Sequence, residues 1–430
     1  MSPTRVCTSW NVRMVSAAKT SSRQPRPRLS DAIGYRRPRL SDISGSAIGA
    51  GFLAVLVSYA GPLLIYLSAA EAMGIGKEAF SSWVFAISVA AGLSSIGLSL
   101  WFRVPIAMAW SAPGTVLLIA LGTSLSPAEM VGAYIAVAAV LVLIGVSGVF
   151  ERLVQFLPPS VTNGMMAGIL FGFGLKAAGG LASDPAAIGL LIAVFAMSAV
   201  IFPRYAMLVL LASALLISAV FYDASVGTVS LAFASPEVTG ATFSTGAMLS
   251  LALPLLITTL SGQYLPGMAI LRASGFSVSA NPILIVGGLV SVAGAFLGGI
   301  TTALASITAA FCAGPDSHED PDRRYVAGVA CGVFFCLGGL FAGSIVEILI
   351  LLPSALIALL AGLALLQPIL KFTSAMLASD DVQAGLLTFI FTASGVSLFG
   401  IGAAFWGVVV GIAVHFLTKA VTALKNGTKT

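Results

Sequence analysis

"RVPIAMAWSAPGTVLL" (residues 103–118) places two prolines, a serine, a glycine and a tryptophan inside a chain that is otherwise long runs of Leu, Val, Ile, Ala and Phe. Proline removes a backbone donor, and in hydrocarbon no water replaces the lost partner. The stretch is therefore either a kink packed against neighbouring helices or a site where irregular backbone lines a protein cavity.

The surrounding sequence is that of a membrane protein. Hydrophobic residues make up 58% of the 430 residues, charged residues 9%, and the mean hydropathy is +1.04. Soluble domains carry roughly 25% charged residues, so a water-soluble globule is excluded. Charge-free runs at 104–128, 130–150, 153–175, 325–346 and 348–370 each exceed the roughly 20 residues a spanning helix needs. Cys7, Cys312, Cys331 and Cys336 have no ligand spacing with His318 or His415, the two histidines of the chain. Neither a structural metal nor a disulfide framework is expected. The spans hold no His/Glu metal set, nucleophile–base pair or phosphate loop, so no enzyme, no cofactor and no nucleic-acid partner is expected.

Apolar runs predict spans at about 46–70, 80–101, 105–122, 128–150, 158–178, 184–202 and 204–222. A second set follows at about 246–271, 281–297, 300–313, 325–350, 354–376, 383–399 and 401–420. The expected organisation is a basic, disordered cytoplasmic tail (1–45), a seven-span repeat (46–222), an outer linker (223–245), a second seven-span repeat (246–422) and a short cytoplasmic tail (423–430). Charge supports the count. With both termini cytoplasmic, 19 of the 21 Lys and Arg fall on the inside, leaving Lys77 and Lys176 outside. That asymmetry is what the positive-inside rule requires.

The halves resemble each other. "AGPLLIYLSAAEAMG" (60–74) aligns with "SGQYLPGMAILRASG" (261–275), "PIAMAWSAPG" (105–114) with "TTALASITAA" (301–310), and "PSVTNGMMAGI" (159–169) with "PSALIALLAGL" (353–363). The offsets are 201, 196 and 194, collinear along the chain. An odd number of spans per half inverts the second half in the membrane, a hallmark of secondary transporters. Paired interrupted segments at corresponding positions are the strongest sequence pointer to a transporter's binding site. Here they are the third span of each half.

A half-helix that starts at mid-membrane exposes free N–H groups and a positive dipole end, suited to a carboxylate. Ser111, Ala112 and Gly114 are expected to begin one half-helix, and Thr308 and Ala309 the other. Ser111, Ser306 and Thr308 supply hydrogen-bond donors, and Trp110 a face for a flat substrate. Gln263 and Tyr264, with their repeat mate Tyr59, form a second candidate wall whose polar groups meet either substrate or a neighbouring helix. Glu347 is the one deep acid, either a proton carrier or an outer-interface residue. The pairs Gly168/Gly172 and Gly339/Gly343 read as internal packing rather than dimerisation.

Three of these stretches resemble a known family. "LPPSVTNGMMAGILFGFGLK" (157–176), "PIAMAWSAPG" (105–114) and "ASITAAFCAGPDSHEDPDRRYVAGVACGVF" (305–334) are similar to benzoate:proton symporters of the BenE type, and the similarity runs from about 46 to 422. The resemblance implies an inner-membrane symporter that takes up benzoate or a similar aromatic carboxylate with protons by alternating access. It also implies kinship with uracil permeases and sulfate-permease-like carriers. In that seven-plus-seven fold, spans 1–4 and 8–11 form a core, spans 5–7 and 12–14 form a gate, and spans 3 and 10 carry a short strand before the half-helix. Related folds add a homodimer by analogy. The acidic residues of uracil permeases are absent from "SGQ" (261–263) and from 306–308. Their loss suits an anion and leaves the proton path unassigned. Another anion or a nucleobase on the same fold, and a passive anion channel, are the alternatives.

Overall fold

Spans 3 and 10 carry the signature of the architecture. Each enters as extended backbone, forms a three-residue strand and then continues as a short helix. Strand β1 (Met108–Trp110) precedes the half-helix Ala112–Leu121, and β2 (Thr302–Leu304) precedes the half-helix Ser306–Ala313. The strands pair antiparallel, with Met108 opposite Leu304, Ala109 opposite Ala303 and Trp110 opposite Thr302. Antiparallel pairing requires spans 3 and 10 to run in opposite senses, as an inverted repeat demands.

The computed structural model describes residues 39–179, 184–222 and 231–427. Most of the expected basic tail, part of the outer linker and residues 428–430 lie outside them. The first repeat comprises span 1 (Gly45–Ala60 and Pro62–Ala72, broken at Gly61), span 2 (Lys77–Phe102), span 3, span 4 (Pro127–Ser147), span 5 (Pro159–Gly179), span 6 (Pro185–Ile201) and span 7 (Ala206–Phe221). The second comprises span 8 (Thr245–Ala273), span 9 (Ala280–Ala295), span 10, span 11 (Tyr325–Leu340), span 12 (Ser354–Leu377), span 13 (Val382–Ala393) and span 14 (Ala403–Gly427). Spans 1–4 and 8–11 pack as one set, with span 2 on 11, span 4 on 9 and span 1 on 11. Span 5 packs on 12 and 13, span 13 on 14, and span 6 on 7. The two sets meet where half-helix 3 lies on span 5 and span 12 lies on span 1.

Strand backbone at this depth must find partners inside the protein. Serines of the neighbouring helices supply them. Ser95 Oγ accepts from the Met108 amide at 2.8 Å, and Ser99 Oγ accepts from the Ile106 amide at 3.1 Å while donating to the Ile106 carbonyl at 3.0 Å. In the second repeat Ser291 Oγ accepts from the Thr302 amide at 2.8 Å. Tyr66 donates to the Gly298 carbonyl at 2.9 Å and accepts from the Ile300 amide at 3.3 Å. Gly298 itself sits at φ +79° against the Trp83 indole, a place where a Cβ has neither the backbone freedom nor the room.

Three boundaries differ from the sequence reading. The stretch 325–350 is two helices, because the chain breaks at Phe341 and continues as a separate short helix, Ala342–Leu349. The outer linker holds that helix aside: the Ala232 amide donates to Ser344 Oγ at 2.8 Å and the Ser344 amide donates back to the Ala232 carbonyl at 3.1 Å. Its repeat counterpart is Phe150–Phe156 after span 4. Span 13 stops at Ala393 rather than at 399, because Gly395 turns the chain at φ +67°. Half-helix 10 begins at Ser306, not at Thr308.

Polar contacts between connections sort onto two ends of the bundle. Asp42–Arg103 (3.1 Å), Glu151–Arg272 (2.9 Å), Arg204–Asp316 (2.9 Å) and Asp381–His415 (2.9 Å) lie at the end where the arginines gather. Lys77–Glu347 (2.9 Å), Glu71–Ser354 (3.2 Å) and Asp184–Tyr222 lie at the other. This division matches the alternation of fourteen segments. Gly168 and Gly339 face spans 13 and 2 of the same chain, so both glycine pairs serve internal packing.

Candidate functional site

The first turn of each half-helix faces a small cavity of about 70 Å³ between the strand pair and spans 1 and 8. Ser58 and Pro62 line it from span 1, Trp110 and Ala112 from span 3, Gln263 from span 8, and Ser306 and Thr308 from span 10. Span 8 reaches it through a widened π-helical turn, Leu260–Tyr264, just before Pro266, a residue with no amide hydrogen to donate. Such π turns concentrate at functional sites.

The two half-helix ends are not equivalent. In span 3, Ser111 Oγ accepts from the Gly114 amide at 3.2 Å and Pro113 has no N–H, so the helix largely caps itself. In span 10 the N-cap residue is Ala305, which has no side-chain acceptor. The amides of Ser306, Ile307 and Thr308 therefore have no intrahelical partner. Half-helix 10 is the stronger source of open donors and of positive dipole at the cavity.

Trp110 adds an independent mark. Its side chain is 2% exposed, yet its indole Nε1 has no hydrogen-bond partner. Buried indole N–H groups ordinarily find one, so an unpaired donor in the wall of a cavity calls for an acceptor there. Tyr59 stands behind it, with ring centroids 6.2 Å apart and planes 24° from parallel, and Phe335 packs edge-on at 5.9 Å.

Of the expected site residues, Trp110, Ala112, Gln263, Ser306 and Thr308 converge on the cavity. Five others stand outside its lining. Tyr59 donates its hydroxyl to Ser88 Oγ at 2.8 Å and supports the tryptophan. Ser111 turns its Oγ to the Gly114 amide as the helix cap, and Gly114 abuts Leu255 of span 8. Tyr264 is fully buried, its hydroxyl 3.5 Å from the Thr302 carbonyl. Ala309 closes the first turn of half-helix 10, its amide donating to the Ala305 carbonyl at 2.9 Å. Ser58 was missed by sequence reasoning; its Oγ donates to the Ala54 carbonyl at 2.9 Å and lies 3.4 Å from Thr308 Oγ1. The polar residue before Tyr59 in an apolar run was its one signal.

Glu347 lies away from the cavity, in the short helix after span 11, bonded to Lys77 at 2.9 Å in a partly exposed pair. Exposed ion pairs contribute under about 1 kcal/mol. Glu347→Gln is therefore expected to shift stability by no more than that, as read from thermal unfolding in detergent.

A second, larger cavity of about 490 Å³ opens between half-helix 3, span 5, Ser250 of span 8 and the connection from Thr392 to Ala404. No motif in the sequence pointed to it. Among the described residues its lining holds no charged side chain, and the Thr392 hydroxyl in its wall has no partner.

Comparison with known proteins agrees with the fold. Residues 41–417 match the family described as BenE, benzoate membrane transport protein. The chain is 44% identical over 381 residues to a benzoate membrane transport protein of Acinetobacter baylyi, covering 87% of this chain and 96% of that one. It is 36% identical over 376 residues to the inner membrane protein YdcO of Escherichia coli, with the same coverage. Among solved structures, the transmembrane domain of the cyanobacterial bicarbonate transporter BicA superposes with a TM-score of 0.56 at 15% identity, covering 83% of this chain and 99% of that domain. The murine anion transporter Slc26a9 in an inward-facing state gives 0.60 at 13% identity, over 90% of this chain and 70% of that one. Those two likenesses establish the inverted-repeat fold. The chain is a multi-pass membrane transporter, not an enzyme, and belongs to the benzoate membrane transport protein family.

Proposed function

We propose that this protein imports benzoate, or a similar small aromatic carboxylate, across the bacterial inner membrane together with a proton, by alternating movement of the core spans against the gate spans. The arginine-rich end, with both termini, faces the cytoplasm. The observation that carries the reading is the unpaired Trp110 indole beside the open first turn of half-helix 10. One supplies a donor and an aromatic wall, the other a cluster of amide donors with positive dipole. A carboxyl group attached to a flat ring matches both. Gln263, Ser306 and Thr308 complete a pocket with few polar groups in a mostly apolar setting.

The test is uptake of labelled benzoate into vesicles containing the purified protein, with an imposed pH gradient and competition by salicylate, uracil and sulfate. Gradient-driven accumulation that salicylate competes and sulfate does not is the expected result. Accumulation of sulfate or uracil instead would move the substrate to another class. Conductance without accumulation would make the protein a channel. Trp110→Phe keeps the ring and removes the donor. Because a net hydrogen bond contributes about 1 kcal/mol, the half-saturating concentration should rise roughly three- to tenfold while protein abundance stays unchanged.

A further inference from the structure

We infer that the proton coupled to uptake travels on the substrate's own carboxyl group, so that the site carries an undissociated aromatic acid and uses no side chain of the protein as proton carrier. This rests on the reading above and deepens it.

Among the described residues, neither cavity is lined by Asp, Glu, His, Lys, Arg, Cys or Tyr. Titratable groups on the elements around the small cavity all turn elsewhere. On span 1, Tyr59 bonds Ser88, Tyr66 bonds the Gly298 carbonyl, and Glu71 bonds Ser354 at the end of the bundle. On span 8, Tyr264 faces the Thr302 carbonyl and Arg272 pairs with Glu151. On span 10, Cys312 faces the Ala327 carbonyl; on span 11, which packs on spans 1 and 10, Tyr325 bonds Asp42 and Cys331 lies buried against Cys312. From the gate, Lys371 lies over the Phe372 ring, Arg204 pairs with Asp316, and Asp381 pairs with His415.

A carboxylate is an acceptor only, whereas an undissociated carboxyl needs one acceptor and one donor. Gln263 offers both from a single primary amide, in the spacing a carboxyl group presents, and the Ser306 and Thr308 hydroxyls also do both. Among the described residues no arginine or lysine lines the cavity to offset a buried anion, and desolvation favours the neutral form of a carboxyl group. The open amides at half-helix 10 also donate to the carbonyl oxygen of the acid, as neutral hydrogen bonds weaker than those to a carboxylate. At the uptake side an O–H bond forms between the carboxylate and a proton from water. On release that bond breaks and the proton returns to water. No electrons change hands, and the transported unit is one anion plus one proton, without net charge.

The experiment uses the full chain in vesicles, with benzoate flux corrected for protein-free vesicles. Two results are expected. Flux driven by the pH gradient is unchanged when the membrane potential is clamped at different values. Glu71→Gln, Glu347→Gln, Asp381→Asn and His415→Gln each retain gradient-driven accumulation within about twofold of the unmodified protein. The inference is overturned if one of these variants still exchanges labelled for unlabelled benzoate yet no longer accumulates it along the pH gradient, because that side chain is then the carrier. Flux that follows the potential overturns it as well. Absence of gradient-driven accumulation in the unmodified protein is a different failure, removing coupled uptake itself and the inference with it.

Discussion

Replacing Ala112 by leucine is expected to abolish benzoate uptake in a protein that still folds. Ala112 is the first residue of half-helix 3 and lines the small cavity together with Trp110 and Thr308. Three added carbons there occupy the space the substrate needs, a cavity of about 70 Å³. Overpacking a filled core costs about 1–3 kcal/mol. Here the side chain extends from a half-buried position into open space, so the cost should fall at or below the lower end of that range. Uptake should drop more than tenfold, while the thermal midpoint moves by only a few degrees. Ala112→Gly is the companion variant, leaving the cavity open and the Ser111 cap in place. Transport at the normal rate by the leucine variant would place the substrate path elsewhere in the molecule.

The interrupted spans and their positions were legible because they have a strong physical signature. Pro105 and Pro113 cannot sit in an unbroken helix without loss. The start of half-helix 10 was less legible because no Ser, Thr, Asp or Asn marks it. Ala305 occupies the cap, and the missing acceptor is what leaves the first-turn amides open to a ligand. The signal that defines that helix start as a site is thus the signal whose absence hid it. Ser111 misled in the opposite way: a strong cap residue reads as a donor to substrate, yet its Oγ caps the half-helix at Gly114 and stands outside the cavity lining. Tyr264 and Tyr59 are close in sequence to lining residues but point into the strand pair and span 2, a matter of helix rotation that spacing alone does not fix. Glu347 fell at the bundle end because the break at Phe341, after which the linker bonds Ser344, has no counterpart in the hydropathy of 325–350.

The double substitution Ser95→Ala/Ser99→Ala should destabilise the protein by about 2–5 kcal/mol, since each buried polar group left without its partner costs about 1–3 kcal/mol. Three backbone groups at and just before β1 are at stake: the Met108 amide, held by Ser95, and the Ile106 amide and carbonyl, both held by Ser99. The Ile106 amide keeps a second contact with the Val104 carbonyl at 2.7 Å, so the loss falls short of three full penalties. Ser94 is the built-in control. Its hydroxyl donates at 2.6 Å to the Ala90 carbonyl and at 3.1 Å to the Ala91 carbonyl of its own helix. It supports no strand, so Ser94→Ala should cost less than about 1 kcal/mol. Thermal unfolding of the three proteins in one detergent separates the effects. Uptake should fall further than stability alone dictates, because β1 sets where Trp110 and half-helix 3 stand and small misplacements at a binding site are costly. A double variant as stable as Ser94→Ala would mean that β2 alone holds β1. The serines of span 2 would then be packing residues, and the mid-membrane strand would owe its place to its partner rather than to the helix beside it.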